Sequence, residues 1–268
     1  LGEQITARGI GNGISLIIFA GIVANLPSAI AGTLELGRTG ALSSLLIVIL
    51  ILMSVGVIFF IIFIERAQRR IIIQYPKRQQ GNKMSGGESS HLPLKLNTAG
   101  VIPPIFASSI LLMPITIIGF SAGTGPEWLS TVAALLGRGQ PLYLAIYVFM
   151  IVFFAFFYTA VVFNPEDTAD NLKKHGGFIP GIRPGTNTSQ YLDKVLTRLT
   201  VVGAAYLAAV CLLPEILISR FSVPFYFGGT SLLIVVTVTL DTVSQVQSHL
   251  LAHQYEGLIK RSRLKGRR

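Results

Sequence analysis

The sequence predicts an all-α protein, a polytopic bundle of transmembrane helices. Three observations predict it. Six apolar stretches run along the chain, at residues 13–32, 42–64, 99–120, 141–163, 199–219 and 225–245. Crossing roughly 30 Å of hydrocarbon takes about 20 such residues. Mean hydropathy is +0.64 with 13% charged residues, against about a quarter charged in soluble domains. Finally, 19 of the 22 Lys and Arg residues fall in alternate segments between the stretches. Positive charge is retained in the cytoplasm during insertion, so both chain ends and two large basic loops are expected to be cytosolic.

Residues 1–64 hold the first two spans. The polar, Gly-rich lead 1–12 enters the first through Gly9, Gly11 and Gly13; Asn25 and Pro27 interrupt that span. Ile14 and Ile18 share one helix face, and from periodicity alone packing against another helix is favoured. A short outer link, 33–41, returns the chain. The second span is free of charge and exits at Glu65-Arg66. The basic loop 65–96 follows. RIIIQY (70–75) reads as a strand, 76–81 as a turn and 92–96 as its partner, giving a cytosolic β-hairpin with Lys77 and Arg78 at the tip.

Residues 97–163 hold the third and fourth spans. Asn97 opens the third, and Pro103-Pro104 are expected to kink or loosen its first turns. The outer segment 121–140 is Gly-rich around a short apolar helix, 127–136. The basic loop 164–198 is the best specified. Asn164 is a cap, Pro165 a first helical residue, and Glu166-Asp167 sit against the positive helix end. Lys173 and Lys174 fall in the last turn before Gly176-Gly177. Two turns, Pro180-Gly181 and Pro184-Gly185, bracket Ile182-Arg183 and present Arg183 at a rigid tip. Residues 199–247 hold the last two spans, the sixth the weakest, and 248–268 a basic tail.

Several signals read plainly. Gly9-Ile10-Gly11-Asn12-Gly13 has no preceding strand and no P-loop Lys, so glycine flexibility beside the membrane explains it. His249 and His253 stand four apart with no third ligand nearby, so no metal site is read. Thr237 and Thr239 either face a pore or bond their own helix. Cys211 is alone, which leaves no disulfide or Cys-based zinc. No Lys, Arg, Asp or Glu lies at mid-depth in the first five spans, where coupled transporters and pumps place theirs; Asp241, in the inner half of the sixth, is the exception to weigh. No catalytic constellation is present, and no cofactor is expected. The net charge of +10 fits topology, attraction to anionic lipid and a large acidic cytosolic partner. The chain opens at Leu1 beside a span with no signal peptide before it; a fragment of a larger membrane protein is expected.

Six segments carry a resemblance. GEQITARGIGNGIS (2–15), ERAQRRI (65–71), HLPLKLNTAGVIPPIFASS (91–109), FYTAVVFNPEDTADNLKKHG (157–176), PGIRPG (180–185) and VPFYFGGTSLLIVV (223–236) stand in the order of the SecY family, the central subunits of the bacterial Sec translocon. The chain resembles the C-terminal portion of that family, its fifth to tenth transmembrane helices. The resemblance implies a clamshell of two halves around an hourglass pore, through which unfolded secretory proteins cross the bacterial inner membrane and from which membrane proteins leave sideways. It maps the family's apolar pore ring onto Ile14, Ile18, Ile105 and Ile234, a deformable dewetted constriction. It places the lateral gate at residues 97–120, with Asn97 a polar contact at its cytosolic end. Small Ala107, Ser108 and Ser109 there permit close, separable packing. Docking of the ribosome with its RNA, or of the SecA motor ATPase, falls to Arg183, Lys77, Arg78, Lys173 and Lys174. SecE and SecG subunits and the missing N-terminal half of the same protein are implied partners. With no ATP site in the chain, energy is expected from a partner or the membrane potential.

Two other classes remain open at this point. A solute transporter would take up solute or a coupling ion in vesicles, and a non-conducting membrane scaffold would give no crosslinks to a stalled secretory chain.

Overall fold

The computed structural model describes the backbone of residues 1–76, 78–80, 83–85, 89–120, 126–137, 139–221 and 229–265. In chain order the elements are α1 (Gly2–Arg8), α2 (Gly13–Arg38), α3 (Ser44–Arg66), β1 (Gln68–Gln74), β2 (Arg78–Gln80), β3 (Lys83–Ser85), β4 (Ser89–Lys95), α4 (Ile102–Phe120), α5 (Glu127–Leu135), α6 (Pro141–Val162), α7 (Pro165–Lys174), α8 (Thr186–Phe221) and α9 (Gly229–Lys265). Among the described residues, six helices are long and apolar enough to cross a membrane. The chain divides into two units, Leu1–Ile62 with Val223–Arg268, and Phe63–Ser222.

In the first unit α1 packs on α2, and α2 on α9. The Gly-rich 9–13 run is a helix corner. Asn12 caps α2, its Oδ1 accepting from the Ile14 N–H at 3.2 Å, and the Gly11 N–H donates to Gln245 Oε1 of α9 at 2.6 Å. Two boundaries differ from expectation. The lead 1–12 contains helix α1, and α2 continues to Arg38, so most of the expected link 33–41 is helix. Leu34, Glu35 and Leu36 favour helix, and the fall in hydropathy after Gly32 marks the end of an apolar run rather than the end of a helix. Asn25 and Pro27 do not break α2; the Asn25 Nδ2 donates to the Gly21 carbonyl at 3.0 Å.

In the second unit β1 and β4 pair antiparallel, with Gln68 opposite Lys95, Ile71 opposite Leu92 and Gln74 opposite Ser89. Alternation buries Ile71 and Ile73 and leaves Ile72 at 49% exposure. The expected turn 76–81 is corrected: Arg78–Gln80 is a strand, β2, paired with β3. Its polar RQQ sequence carries no alternation to announce it. Lys77 lies outside the described residues, and Arg78 is described as backbone only. Ile71, Leu94, Ile179, Leu192 and Leu199 form one apolar cluster, so the hairpin, the Pro-Gly loop and the start of α8 share a core.

Asn164, Pro165 and the two lysines behave as their sequence dictates. The Asn164 Oδ1 accepts from the Glu166 N–H at 3.0 Å, and α7 ends at Lys174. The region 164–198 is not a loop throughout, however. Helix α8 starts at Thr186, thirteen residues before the expected span, and its 36 residues make about 54 Å of helix. Helix α9 likewise runs to Lys265, so the expected tail 248–268 is largely helical, and residues 225–228 of the expected sixth span lie outside the described residues. Pro103 and Pro104 occupy the second and third positions of α4, where no intrahelical N–H is needed. They mark its start instead of kinking it.

Helix α6 buries Tyr143, Tyr147, Ile151, Ala155 and Thr159, a four-residue stripe, against α4 and α8. Ala99, Ala155 and Ala204 meet in this bundle. In lipid, apolar burial gives helices little reason to associate; small residues that admit close van der Waals packing do.

Candidate functional site

Of the four pore-ring candidates, Ile14, Ile18 and Ile234 lie in the first unit and Ile105 in the second. One turn apart on α2, Ile14 is 59% exposed and Ile18 half-buried. Ile18 lines a cavity of about 320 Å³ with Gly21, Ile22, Asn25, Leu26, Ala29 and Ser231 of α9. Three residues beyond Ser231 on α9, Ile234 is only 5% exposed. Ile105 is half-buried on α4. The side chains are branched, aliphatic and uncharged throughout. Such side chains offer shape and dryness but no hydrogen bond. Thr239 Oγ1 donates to its own helix, to the Val235 carbonyl at 2.7 Å, whereas Thr237 Oγ1 is buried with no hydrogen-bond partner among the described residues.

The gate candidates split between two faces of α4. Ala107 is fully buried with Leu111. Ser108 is half-buried and Ser109 exposed, and both hydroxyls donate to the Ile105 carbonyl, at 3.0 and 2.8 Å. With their hydroxyls returned to the backbone, the two serines present a small, nearly apolar surface one turn from Ile105. Phe106 beside them is half exposed and stacks on Phe154 of α6, ring centroids 5.6 Å apart.

Asn97 is 5% exposed at the junction of β4 and α4. Its Nδ2 donates to Glu65 Oε1 at 2.8 Å and to the Gly100 carbonyl at 3.2 Å. The Tyr206 hydroxyl of α8 donates to the same Glu65 oxygen at 3.4 Å. Sequence reasoning singled out Asn97 but missed Glu65 and Tyr206 as its company. They lie 32 and 109 residues away, and the only signal was a carboxylate at the very end of an otherwise uncharged span.

The docking candidates sit on a stiff base. Arg183 is exposed, and its carbonyl accepts from Thr188 Oγ1 at 3.0 Å, Thr188 itself being buried. The Ile182 N–H donates to the Ile179 carbonyl at 3.1 Å, closing the first turn. Gly181 and Gly185 have φ of +82° and +107°, values that side chains other than glycine's adopt at a cost. Ile179 and Ile182 meanwhile face the apolar cluster. Lys173 and Lys174 are exposed in the last turn of α7, whose opposite face buries Ala169 and Leu172. The two basic segments are also joined directly. Gln74 of β1 and Phe178 exchange backbone hydrogen bonds of 2.9 and 3.0 Å, so the stretch after α7 extends the hairpin's edge.

Three comparisons bear on this arrangement. Residues 1–243 match the family model described as SecY. The chain is 58% identical over 267 residues to the protein translocase subunit SecY of Escherichia coli (strain K12), covering 99% of this chain and 60% of that relative. It is 56% identical over 270 residues to the protein of that name from Vibrio cholerae, covering 99% and 61%. The chain therefore spans about 60% of the length of these relatives. Among solved structures it resembles one of SecY concerned with the plug domain that stabilises the closed translocation channel (TM-score 0.58, 19% identity, 92% of this chain and 62% of that). A second is described as a protein-conducting channel (TM-score 0.56, 18% identity, 92% and 61%). At such identity these two carry the fold alone.

Proposed function

The chain belongs to the SecY family, and from that premise we propose that it supplies six helices of a protein-conducting channel in a bacterial inner membrane. The observation that carries the reading is identity above 55% to translocase subunits across 99% of the chain. In this reading α2, α3, α4, α6, α8 and α9 are the fifth to tenth helices of the full-length subunit, and the rest of its length closes the pore. Ile14, Ile18, Ile105 and Ile234 contribute to a dry constriction through which an unfolded polypeptide slides. Helix α4 is the lateral gate, Ser108 and Ser109 its separable face, and apolar segments of substrate pass it into lipid.

Arg183, Lys173, Lys174 and the basic hairpin with Lys77 and Arg78 form the cytosolic docking face for the ribosome or the SecA motor. The stiff turns beneath Arg183 support this: a guanidinium held in place pairs with carboxylate or phosphate in fixed geometry. SecE, SecG and anionic lipids complete the assembly. Energy comes from a docked partner or the membrane potential.

The test is reconstitution of the full-length subunit with its partners in vesicles. A preprotein should become protease-protected when motor ATPase and ATP are added. Solute uptake without preprotein passage would overturn the reading in favour of a transporter.

A further inference from the structure

The connector between β4 and α4 is only six residues long, and it is held from three directions. Asn97, buried in the connector, gives its amide to Glu65 at the end of α3, 2.8 Å away, and Tyr206 of α8 reaches the same carboxylate oxygen. The Leu96 N–H donates to the Ala67 carbonyl at 3.1 Å. From α8, Gly203 lies so close that a Cβ there would stand 2.8 Å from the Leu96 carbonyl oxygen and 3.5 Å from Asn97 Cα. A buried amide must find acceptors, and a carboxylate is the strongest side-chain acceptor available. Apolar contacts slide; a hydrogen bond to a single oxygen is directional and breaks over a fraction of an ångström. Such a joint suits a point that must sit in one place and then release.

We propose that Glu65 is a positioning residue for the gate: by holding Asn97 it fixes the first turn of α4 in the closed position, with Tyr206 and Gly203 backing the joint from α8. The proposal rests on the reading of α4 as the gate helix. It adds that the joint couples the basic hairpin to the gate, because β4 leads into α4 through Asn97.

The experiment uses the full-length channel with its partner subunits. It measures closed-state ion conductance in planar bilayers, transport of a preprotein with a weakened signal, and thermal unfolding. Glu65→Ala and Asn97→Ala should each raise leak and weak-signal transport several-fold, and the double variant should do no more than either single change, as expected of one shared contact. Gly203→Ala, which wedges the joint without touching a hydrogen-bonding group, should move both readouts the same way. Glu65→Gln keeps the acceptor oxygen and should return both close to wild type. The proposal is overturned by wild-type leak in Glu65→Ala, by effects of Glu65→Ala and Asn97→Ala that multiply, or by Glu65→Gln failing as Glu65→Ala does. Lower unfolding temperature with no change in leak would make Glu65 merely structural and also overturn it. If the wild-type channel itself neither conducts nor transports, the channel reading has failed and the joint falls with it.

Discussion

Ile14 at 59% exposure and Ile234 at 5% separate what a pore side chain and a packed side chain should do when made polar. Asparagine at a packed site leaves a buried amide unpaired, at about 1–3 kcal/mol. Asparagine at a water-filled constriction meets water and loses only its apolar neighbours. Ile14→Asn and Ile105→Asn in the full-length channel should therefore raise conductance while leaving thermal unfolding nearly unchanged, and Ile234→Asn should lower both the seal and the unfolding temperature. Destabilisation without added leak at Ile105 would assign it to the core. Arg183→Glu makes a separate test, because its loop is held by backbone bonds and Thr188 rather than by the guanidinium. The charge reversal should weaken SecA or ribosome binding by an order of magnitude or so in a salt-dependent way and leave insertion intact. Unchanged affinity would reduce the loop to a connector.

At the scale of elements, the apolar cluster under the basic segments gives the clearest stability prediction. Leu192 is fully buried among Ile71, Leu94, Ile179 and Leu199. Leu192→Ala should cost about 2–5 kcal/mol locally and appear as faster hydrogen exchange in β1, β4 and the 178–185 loop together. Exchange confined to α8 would show that the segments fold independently. Helix α7 was legible almost residue for residue, because capping chemistry is local: Asn164, Pro165 and two acids specify a start with no help from tertiary structure. The reach of α8 was not. Asp193, Lys194 and Arg198 dropped the hydropathy, and the amphipathic spacing of Leu192, Val195, Leu196 and Leu199 was the overlooked signal that the helix continues. The β2–β3 ladder left no such signal, since its strands are three residues each, too short for an apolar alternation to show. Glu65, Asn97 and Tyr206 were equally hidden as a group, for distance along the chain says nothing about which polar side chains converge.

For the molecule as a whole, the charge division predicts sidedness that the one cysteine of this chain will not obscure, since Cys211 is buried. With single cysteines placed at exposed positions of the full-length protein, Ser89→Cys and Asn187→Cys should react only from the cytosolic side, and Ser130→Cys only from outside; labelling of Asn187→Cys from outside would reverse the map. The pairing of Gln74 with Phe178 bears on how such a face is bound. Two segments about a hundred residues apart in the chain are held together, so under the proposed docking reading a partner that grips either should find the other already in place and lose little ordering entropy on engaging both. The same pairing makes the two segments interdependent: a change that breaks the Gln74–Phe178 bridge should loosen the 178–185 loop as well as the hairpin, so a partner that binds both should lose affinity for both.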